Sequence, residues 1–451
     1  MTETFHGDNF QTFLTDLYEL TMAAAYYHHQ IDHLATFELF VRNLPPQRSY
    51  LMVAGLEQAI DYLQHLHFND DQIEFLRKHP LFKDVNPRFF DYLKTLCFTG
   101  DVWAMPEGTI AFAEEPLLRV TAPVIEAQIV ETFLLSMINF QTAIATKASR
   151  VVTAAQGRGV IEFGSRRAHG PEAAVLAARA SYIAGCIGTS NVYAGYKFGI
   201  PIFGTIAHSW VMTFDQEEES FSRYFQAFPD STTLLIDTYD TLEGARRATA
   251  IGSKLRGVRL DSGDLLTLSR EVRRILDQAG LQHAGIVASG DLNEYLIDEL
   301  IRNSAPINTF GVGTEMATSK DAPALGGVYK LVEQMEGEKE AYRIKLSEKK
   351  ATYPGKKQVF RLIDDHGHYL HDIIAREVEA PPSHAFPLLE PFMEKGEIVS
   401  ELPSLTETRE RAKRNLESLP HQYRRLEHPE SYPIHKSQAL EALLESMRRE
   451  T

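Results

Sequence analysis

The sequence predicts an α/β fold whose central part is a barrel of parallel strands. From about residue 158 onward, short apolar runs alternate with helical segments, and repeated βα units of this kind form a parallel sheet. Nearly every run ends in Gly, Ser, Thr, Asp, Arg or His. A closed barrel gathers such ends on one face, whereas an open doubly wound sheet spreads them along a crevice. Their recurrence on nearly every strand favours the barrel.

About seven runs make up this pattern, and each combines a predicted strand with a polar or glycine-containing loop. They occupy residues 160–167, 185–190, 200–210, 234–238, 257–264, 285–291 and 307–314. Predicted helices such as 266–279 and 292–303 lie between them. No GxGxxG motif follows the first strand, so the sequence does not indicate a dinucleotide-binding fold.

The remainder of the chain predicts a second part of mixed α and β structure. Residues 1–125 alternate helical segments with short strands, and residues 330–400 are strand-like again, so we expect 330–400 to return to the N-terminal domain. A long amphipathic helix predicted at 124–152 bridges to a central domain at 126–329. Residues 401–451 are predicted to form a charged helical tail, in which we interpret the arginines as a solvated face.

Composition argues against several classes of partner. The chain has 451 residues, 44% of them apolar, and a formal net charge of −15. This charge argues against nucleic acid and anionic membrane surfaces, because both attract basic proteins. The two cysteines, Cys97 and Cys186, form no metal-binding or disulfide pattern, which predicts a reducing, cytoplasmic location. Residues 1–8 show no signal-peptide pattern, so we expect none, and no apolar run reaches membrane-spanning length.

Two late strand ends have the composition of a phosphate-binding site. The segments 289–291 (SGD) and 311–314 (GVGT) each follow an apolar run and precede a helical segment. Glycine lets the backbone approach an anion, and a helix N-terminus supplies N–H groups. In α/β barrels the loops after the last strands often hold phosphate. We therefore predict a phosphate site here, with plain turns as the alternative.

Charged residues at other strand ends extend the candidate site. Arg259 precedes Asp261 by two residues; arginine pairs bidentately with carboxylate or phosphate, and aspartate could hold ribose hydroxyls or hydrated magnesium. Arg166 is another arginine of this kind, at the end of the first predicted strand. His208 follows Gly204 and Thr205, where a histidine could act as base, ligand or phosphate acceptor. A purely structural histidine is the open alternative.

Several of these segments together resemble the nicotinate phosphoribosyltransferase family. They are Tyr18, EFGSRRAHG at 162–170, GTIAHSW at 204–210, VRLDSGDLL at 258–266, SGD at 289–291 and FGVGTEMATSKDAPALGGVYKLV at 310–332. The resemblance implies a type II phosphoribosyltransferase, with an irregular TIM-like α/β barrel and a second α+β domain built from both chain ends. It implies transfer of a phosphoribosyl group from 5-phosphoribosyl 1-diphosphate to nicotinate in NAD biosynthesis, coupled to ATP hydrolysis through a phosphohistidine, with Mg²⁺ and a homodimer.

The resemblance also assigns roles to residues at matching positions. His208 matches the autophosphorylated histidine, and Asp261 is the implied carboxylate on the ribose or magnesium side. The implied nicotinate contacts are Phe163, Ser190, Thr205, Arg259 and Tyr18, the last supplied by a partner subunit. The implied phosphoribosyl diphosphate contacts are Arg166, Gly290, Asp291, Gly313 and Thr314. No metal ligand is assigned.

Four alternative functions stay open from the sequence. A quinolinate-using relative would need more cations for the two carboxylates of quinolinate and would release carbon dioxide, and the chains of that family are shorter. The related nicotinamide-using family has an aspartate at the position aligned with Ser190, where a second carboxylate would repel nicotinate, so Ser190 favours nicotinate. A catalytically silent barrel that only binds phosphoribosyl compounds would usually have lost one of His208, Arg259 and Asp261, and all three are present. An aldolase-like barrel needs a strand-end lysine, and no predicted strand end carries one.

Overall fold

A computed structural model describes residues 10–337, 339–345 and 352–450 of the chain. Residues 1–8, where the sequence indicates no signal peptide, lie outside the described residues. The chain divides into two compact units, of which the first combines Met1–Thr142 with Ala324–Thr451 and the second is Ala143–Pro323. The predicted boundaries of separately folding domains, at 125, 329 and 400, stay predictions.

The first part of the chain is mainly helical, with five short strands. Its helices are α1 (Phe10–Phe13), α2 (Leu17–His28), α3 (Leu56–Gln64), α4 (Asp70–Lys78), α5 (Pro87–Thr95), α6 (Val124–Ile129) and α7 (Glu131–Ala154), with a 3-10 turn at Pro80–Phe82. Its strands are β1 (Leu34–Val41), β2 (Leu51–Met52), β3 (Asp101–Ala104), β4 (Ile110–Ala111) and β5 (Pro116–Pro123).

The middle part alternates strands and helices. Its strands are β6 (Gly159–Glu162), β7 (Gly188–Thr189), β8 (Thr233–Leu235), β9 (Gly257–Leu260), β10 (Gly285–Ala288) and β11 (Thr309–Val312). Its helices are α8 (Pro171–Ile183), α9 (Val192–Phe198), α10 (His208–Met212), α11 (Glu217–Ala227), α12 (Thr241–Ala248), α13 (Leu265–Gln278), α14 (Glu294–Arg302) and α15 (Thr314–Ala317), with a 3-10 segment at Thr249–Lys254.

The last part is mainly strands, followed by helices. Its strands are β12 (Gly327–Glu336), β13 (Lys339–Tyr342), β14 (Lys357–Ile363), β15 (Tyr369–Arg376), β16 (Ala385–Pro387), β17 (Glu390–Glu394), β18 (Glu397–Ile398) and β19 (Ile434–Lys436). Its helices are α16 (Leu405–Ser418), α17 (His421–Arg424) and α18 (Gln438–Glu450). Among the described helices, none combines the length and the apolar character needed to span a bilayer.

In the first unit, strands from both ends of the chain form one sheet. This seven-stranded sheet has the order β13-β12-β1-β5-β3-β17-β18. Strand β1 pairs antiparallel with β12 and β5, and β3 pairs antiparallel with β17. The rings of Phe37 on β1 and Tyr329 on β12 stack with 4.9 Å between their centroids, so the two chain ends also share apolar packing. The predicted α+β part built from both chain ends is confirmed.

In the second unit, six parallel strands form one sheet in the order β7-β6-β11-β10-β9-β8. Val160, Val258, Ile286 and Phe310, each on a different strand, are at most 1% exposed. Because the strands are parallel, their carboxyl ends and the loops that follow share one edge. The predicted α/β architecture is confirmed, although among the described residues no hydrogen-bonded ladder closes the sheet between β7 and β8.

The regular strand predicted within 200–210 is wrong. Ile202 forms one isolated parallel bridge with Thr189, and the Phe203 N–H donates to the Thr189 carbonyl at 2.9 Å. Pro201 has no N–H to donate, and the chain then runs irregularly to the start of α10. The close approach needs Gly188, because a Cβ there would lie 2.2 Å from the Pro201 carbonyl oxygen.

The helix predicted at 124–152 is divided at Val130, which separates α6 from α7. The Glu19 carboxylate accepts hydrogen bonds from the Thr132 backbone N–H at 3.2 Å and from the Thr132 hydroxyl at 2.6 Å. N–H groups in the first helical turn have no partner inside the helix, and a side-chain oxygen can satisfy them. This contact marks a new helix start where the sequence pattern predicts a continuous helix.

Side-chain caps fix the loops that follow β9 and β10. Asp264 accepts hydrogen bonds from the N–H groups of Leu266 and Thr267 at 3.1 and 3.2 Å, at the start of α13. Asn293 does the same at the start of α14, at 3.1 and 3.0 Å. Such caps end a loop at a defined residue. The segments 261–264 and 289–293 are therefore anchored at both ends.

Candidate active site

The shared edge of the parallel strands contains a cavity of about 250 Å³. It is lined by Phe163, Arg166, Arg167, Arg259, Asp261, Ser289, Gly290, Asp291, Gly311, Gly313 and Thr314. These residues come from the ends of β6, β9, β10 and β11 and the loops that follow. Most of the predicted site residues therefore line one cavity, whereas Tyr18, Ser190, Thr205 and His208 do not.

Arg259 is the central cation of this cavity. It lies on β9 between the buried Val258 and Leu260, and alternation along the strand turns its side chain to the other face. Its Nε donates to the Ser289 hydroxyl at 2.8 Å, and one terminal nitrogen donates to the Thr205 hydroxyl at 2.9 Å. The guanidinium carbon also lies 5.7 Å from the centroid of the Phe163 ring. The cation is thus fixed in orientation, and the predicted residue Thr205 contacts it directly.

Asp261 is the anion paired with this cation. Its Oδ1 accepts a hydrogen bond from Arg259 at 2.6 Å and one from the Ser289 hydroxyl at 2.5 Å. Burial tends to raise its pKa, but the Ser289 hydrogen bond and the Arg259 charge outweigh burial and hold the pKa below its ordinary value. Asp261 is therefore a carboxylate at neutral pH.

His208 stands beside this pair as the first residue of α10. Its Nδ1 lies 3.1 Å from the Thr238 hydroxyl, and its Nε2 lies 3.8 Å from Oδ2 of Asp261. The Nδ1 atom is thus within hydrogen-bond distance of a protein group, the Nε2 atom lies near a carboxylate but beyond hydrogen-bond distance, and the side chain is 42% exposed. A histidine held in this way can exchange a proton or accept a group without losing its orientation.

Two glycines bring backbone against the other site residues. Gly290 has a φ of +92°, and a Cβ there would lie 2.1 Å from the Asp261 carbonyl oxygen. A Cβ at Gly311 would lie 2.5 Å from the Phe163 ring. Asp291 follows Gly290 with a φ of +46°, which is uncommon for a residue other than glycine. The loop after β10 therefore packs tightly against the end of β9.

Glu162 is a site residue that sequence reasoning missed. It is fully buried at the end of β6, where it accepts hydrogen bonds from the Thr189 hydroxyl at 2.6 Å and from the Gly164 N–H. Its backbone carbonyl accepts from the Ser190 N–H at 2.9 Å. Burial raises the pKa of Glu162 above its ordinary value, against the opposing effect of these donors. Glu162 thus joins the segment that carries Phe163 to the one that carries Ser190.

Asp237 is a second missed residue, at the end of β8. Its Oδ2 accepts hydrogen bonds from the Asp261 backbone N–H at 2.9 Å and from the Ser262 hydroxyl at 2.6 Å. Its Oδ1 is buried and has no hydrogen-bond partner among the described residues. The sequence signal was available, because the run 234–238 has a carboxylate next to its last residue and the runs 257–264 and 285–291 each end in one. Asp237 fixes the backbone from which Asp261 projects.

Tyr18 and the residues that line the cavity belong to different compact units of the chain. Tyr18 lies on α2 in the first unit and is 45% exposed. Burial of its hydroxyl and the nearby Glu131 raise its pKa well above the ordinary value.

In the part of the chain that the structure describes, no group of three or more His, Cys, Asp and Glu side chains is arranged to hold a metal ion.

Models of one protein family match three segments of the chain. The model described as nicotinate phosphoribosyltransferase (NAPRTase) family matches residues 159–355. The models of the N-terminal and C-terminal domains of nicotinate phosphoribosyltransferase match residues 13–139 and 380–444. The three matches together span most of the chain.

Characterised relatives and solved structures agree with these matches. Nicotinate phosphoribosyltransferase pncB2 of Mycobacterium tuberculosis is 44% identical, covering 96% of this chain and 93% of the relative. Nicotinate phosphoribosyltransferase of Bacillus subtilis is 39% identical, covering 97% and 95%. The crystal structure of human nicotinic acid phosphoribosyltransferase superposes with a TM-score of 0.85 at 30% identity, covering 96% of this chain and 99% of that one. Nicotinate-nucleotide pyrophosphorylase from Pyrococcus furiosus gives a TM-score of 0.76 at 26% identity, covering 93% and 99%.

Proposed function

This chain belongs to the nicotinate phosphoribosyltransferase family, and we propose that it joins nicotinate to 5-phosphoribosyl 1-diphosphate, giving nicotinate mononucleotide and diphosphate for NAD salvage. The observation that carries this proposal is the position of Arg259, a fixed cation between an aromatic ring and two glycine-containing strand-end loops. A site that joins a small aromatic acid to a phosphorylated sugar needs the cation and the ring for the acid, and the loops for the phosphate, next to each other.

Arg259 is proposed to bind the nicotinate carboxylate. A guanidinium has five N–H donors, and Ser289, Thr205 and Asp261 engage three of them among the described residues. The other two donors leave room for a carboxylate, which arginine binds with matched geometry. Phe163 lies beside the same guanidinium and offers its face to the pyridine ring. Ser190, which presents no second anion near nicotinate, is proposed to favour the acid over the amide.

The loops after β10 and β11 are proposed to bind the phosphoribosyl diphosphate. Gly290, Asp291, Gly313 and Thr314 line the same cavity as Arg166. Glycine backbone and arginine are common binders of phosphate. Magnesium fits this edge because it is usually held by one or two carboxylates together with substrate phosphates, and Asp261 and Asp291 supply carboxylates. When bound, the ion would neutralise charge on the leaving diphosphate.

The reaction proposed for this site needs positioning and charge stabilisation more than proton transfer. The pyridine nitrogen lone pair forms the new bond to the sugar carbon as the bond to diphosphate breaks, so the nucleophile needs no general base. Positive charge develops at the sugar, near the ionised Asp261, and negative charge leaves toward the cationic and N–H groups. Fixed charges placed in this way stabilise the transition state.

His208 is proposed as the residue that couples ATP to this reaction. A ring nitrogen would form a bond to the γ-phosphorus of ATP as ADP leaves, and water would later release phosphate. The contacts with Thr238 and Asp261 support this role because they orient a partly exposed ring. The phosphoryl group would add negative charge beside Asp261 and change the affinity for anionic substrates.

A homodimer is proposed as the active form, with Tyr18 covering the pyridine ring in the site of the partner subunit. The support in this chain is an exposed apolar face that begins two residues after Ser190. On α9, Val192 is 69%, Tyr193 59% and Tyr196 86% exposed. Exposed apolar patches of this kind mark interaction sites. The two cysteines of the sequence, which form no disulfide or metal-binding pattern, support a proposed cytoplasmic location.

The test is product formation from nicotinate, phosphoribosyl diphosphate and Mg²⁺, with and without ATP, for the wild type and His208→Ala. We expect nicotinate mononucleotide from the wild type, stimulated by ATP, and loss of that stimulation in the variant. Turnover of nicotinamide but not nicotinate would assign the chain to the nicotinamide-using enzymes. Binding of phosphoribosyl diphosphate without turnover of either base would indicate a silent binding protein.

A further inference from the structure

A buried ammonium group lies behind the loops proposed to bind phosphate. Lys147 on α7 has a side chain that is only 1% exposed. Its Nζ lies 2.5 Å from Glu294, 2.9 Å from Asp321 and 3.8 Å from Glu315. Lys147 therefore contacts carboxylates in three segments but has almost no access to solvent or to a ligand.

Each of these carboxylates is joined by sequence to a loop that lines the cavity. Glu294 is the first residue of α14 and directly follows the loop 289–293. Glu315 directly follows Thr314 at the start of α15, and Asp321 lies four residues beyond that helix. The first loop supplies Gly290 and Asp291 to the cavity, and the second supplies Thr314. One ammonium group thus bridges residues beside both loops and is not itself among the residues that line the cavity.

Neighbouring ion pairs extend this bridge. Arg150, three residues along the same helix, places its Nε 3.1 Å from Oε1 of Glu294. Lys320 places its Nζ 2.8 Å from Oε1 of Glu315. A buried carboxylate is usually paired with a cationic group, because an unpaired buried charge is strongly unfavourable. Lys147 thus contacts carboxylates beside both loops, and Arg150 and Lys320 add ion pairs to two of these carboxylates.

We propose that Lys147 is a positioning residue that holds the loop after β10 against the loop after β11 at the spacing that phosphoribosyl diphosphate requires. This inference rests on the proposed function, because it concerns how the same site binds that substrate. Binding by backbone N–H groups depends on their separation, and small displacements of such groups weaken catalysis strongly. The residue acts through Glu294, Glu315 and Asp321, not through contact with substrate.

The experiment compares Lys147→Met with Arg273→Met, a matched control. Arg273 also pairs with a carboxylate, Asp277, at 2.9 Å, but it donates to the carbonyls of Leu281 and Ala284 before β10, at the opposite end of the strand. We expect Lys147→Met to raise KM for phosphoribosyl diphosphate by about tenfold or more, with KM for nicotinate within about twofold. Arg273→Met should leave both KM values near those of the wild type.

A charge-matched variant separates positioning from stability. Lys147→Met combined with Asp321→Asn removes the bridge together with one of the charges it neutralises, and we expect the raised KM to persist while thermal stability recovers in part. If Lys147→Met does not fold, Asp321→Asn alone removes one arm of the bridge and should raise the same KM. Calorimetry with phosphoribosyl diphosphate and Mg²⁺ measures the binding directly.

The outcomes distinguish this inference from the function it rests on. A wild type that forms no nicotinate mononucleotide would count against the proposed function. A wild type that is active, with unchanged affinity for phosphoribosyl diphosphate in every Lys147 and Asp321 variant that folds, would overturn the positioning role alone. Loss of stability with both KM values unchanged would assign Lys147 to folding only.

Discussion

Arg259 is held by three protein acceptors, and the same guanidinium is proposed to bind the substrate carboxylate. Lysine at this position would keep the charge but lose the planar fork that serves both purposes. We expect Arg259→Lys to raise KM for nicotinate roughly 10- to 100-fold, or about 1.4–2.8 kcal/mol, the range for a hydrogen bond to a charged group. Steady-state kinetics with varied nicotinate measures this change.

The control for Arg259→Lys is Arg256→Lys, three residues earlier and exposed. Arg256 donates to the Asp230 carbonyl at 2.9 Å, away from the cavity. We expect both of its KM values to match those of the wild type. An Arg259→Lys enzyme with a normal KM for nicotinate would contradict the proposed carboxylate contact.

Glu19 gives a residue-scale prediction about pH. Burial raises its pKa to about 7, although the hydroxyls of Thr132 and Thr15 act in the opposite direction. A carboxyl group whose pKa is higher in the folded than in the unfolded state stabilises the fold fully below its ordinary pKa of 4.5, and this contribution is lost as pH rises through about 7. We expect the thermal midpoint of the wild type to fall relative to that of Glu19→Gln as pH rises from about 5 to about 8.

The control for Glu19→Gln is the same substitution at a glutamate that is exposed to solvent. Glu74 on α4 is exposed and pairs only with Lys78 on the surface among the described ion pairs, so Glu74→Gln should follow the wild type at each pH. Parallel curves for the wild type and Glu19→Gln would show that Glu19 does not titrate in this range.

At this scale the sequence was informative for residues that line the cavity and poor for residues that support them. Phe163, Arg259 and Asp261 were predictable because each follows or interrupts an apolar run at a strand end. Asp237 has the same pattern, yet its role depends on accepting the backbone N–H of Asp261, the residue after β9, which no sequence pattern displays. Glu162 is fully buried, and its partner Thr189 becomes a neighbour only when β6 and β7 pair.

At the scale of elements, the loop after β10 depends on glycine at position 290. Alanine there would combine a left-handed backbone, which costs about 1–2 kcal/mol, with a Cβ that overlaps the Asp261 carbonyl. We expect Gly290→Ala to shift the loop, raise KM for phosphoribosyl diphosphate and lower the thermal midpoint. Gly280→Ala is the matched control, because φ is +74° there but no atom lies within 4 Å of the added Cβ.

These two variants separate backbone conformation from steric overlap. Gly280→Ala should lower the thermal midpoint only by the cost of a left-handed backbone conformation at alanine, and both KM values should match those of the wild type. If Gly290→Ala behaved in the same way as Gly280→Ala, the contact between the loop and β9 would be unimportant for substrate binding.

The predicted strands and helices were right where the local hydrophobic pattern alone determines the element. They were wrong where a contact with a residue distant in the sequence changes it. The strands β8 to β11 lie where short apolar runs indicated them. The run 200–210 is as apolar, but Pro201 lacks an N–H and Ile202 pairs with β7 through a single bridge. The helix at 124–152 has continuous helical spacing, and its division at Val130 coincides with the Glu19 carboxylate, which is more than 100 residues away in the sequence.

At the scale of the whole molecule, the net charge of −15 has the same sign as the charge of the proposed anionic substrates. Three arginines, Arg166, Arg167 and Arg259, line the cavity together with two aspartates, so cations outnumber anions there although the chain as a whole is acidic. Local cations can attract an anionic ligand in spite of an acidic surface. The apolar face on α9 needs a different explanation, which the proposed dimer supplies.

Hybrid dimers test whether two subunits share each site. Tyr18→Ala and Arg259→Ala should each be nearly inactive, because every site in either homodimer lacks one residue. If Tyr18 serves the partner's site, a hybrid of the two variants has one site with both lesions and one intact site. Random mixing makes half of the dimers hybrid, so we expect about a quarter of the wild-type activity to return. The measurement is turnover after co-expression, with size-exclusion chromatography to establish the dimer. Activity that stays at the level of the separate variants would mean that each chain uses its own Tyr18 or none.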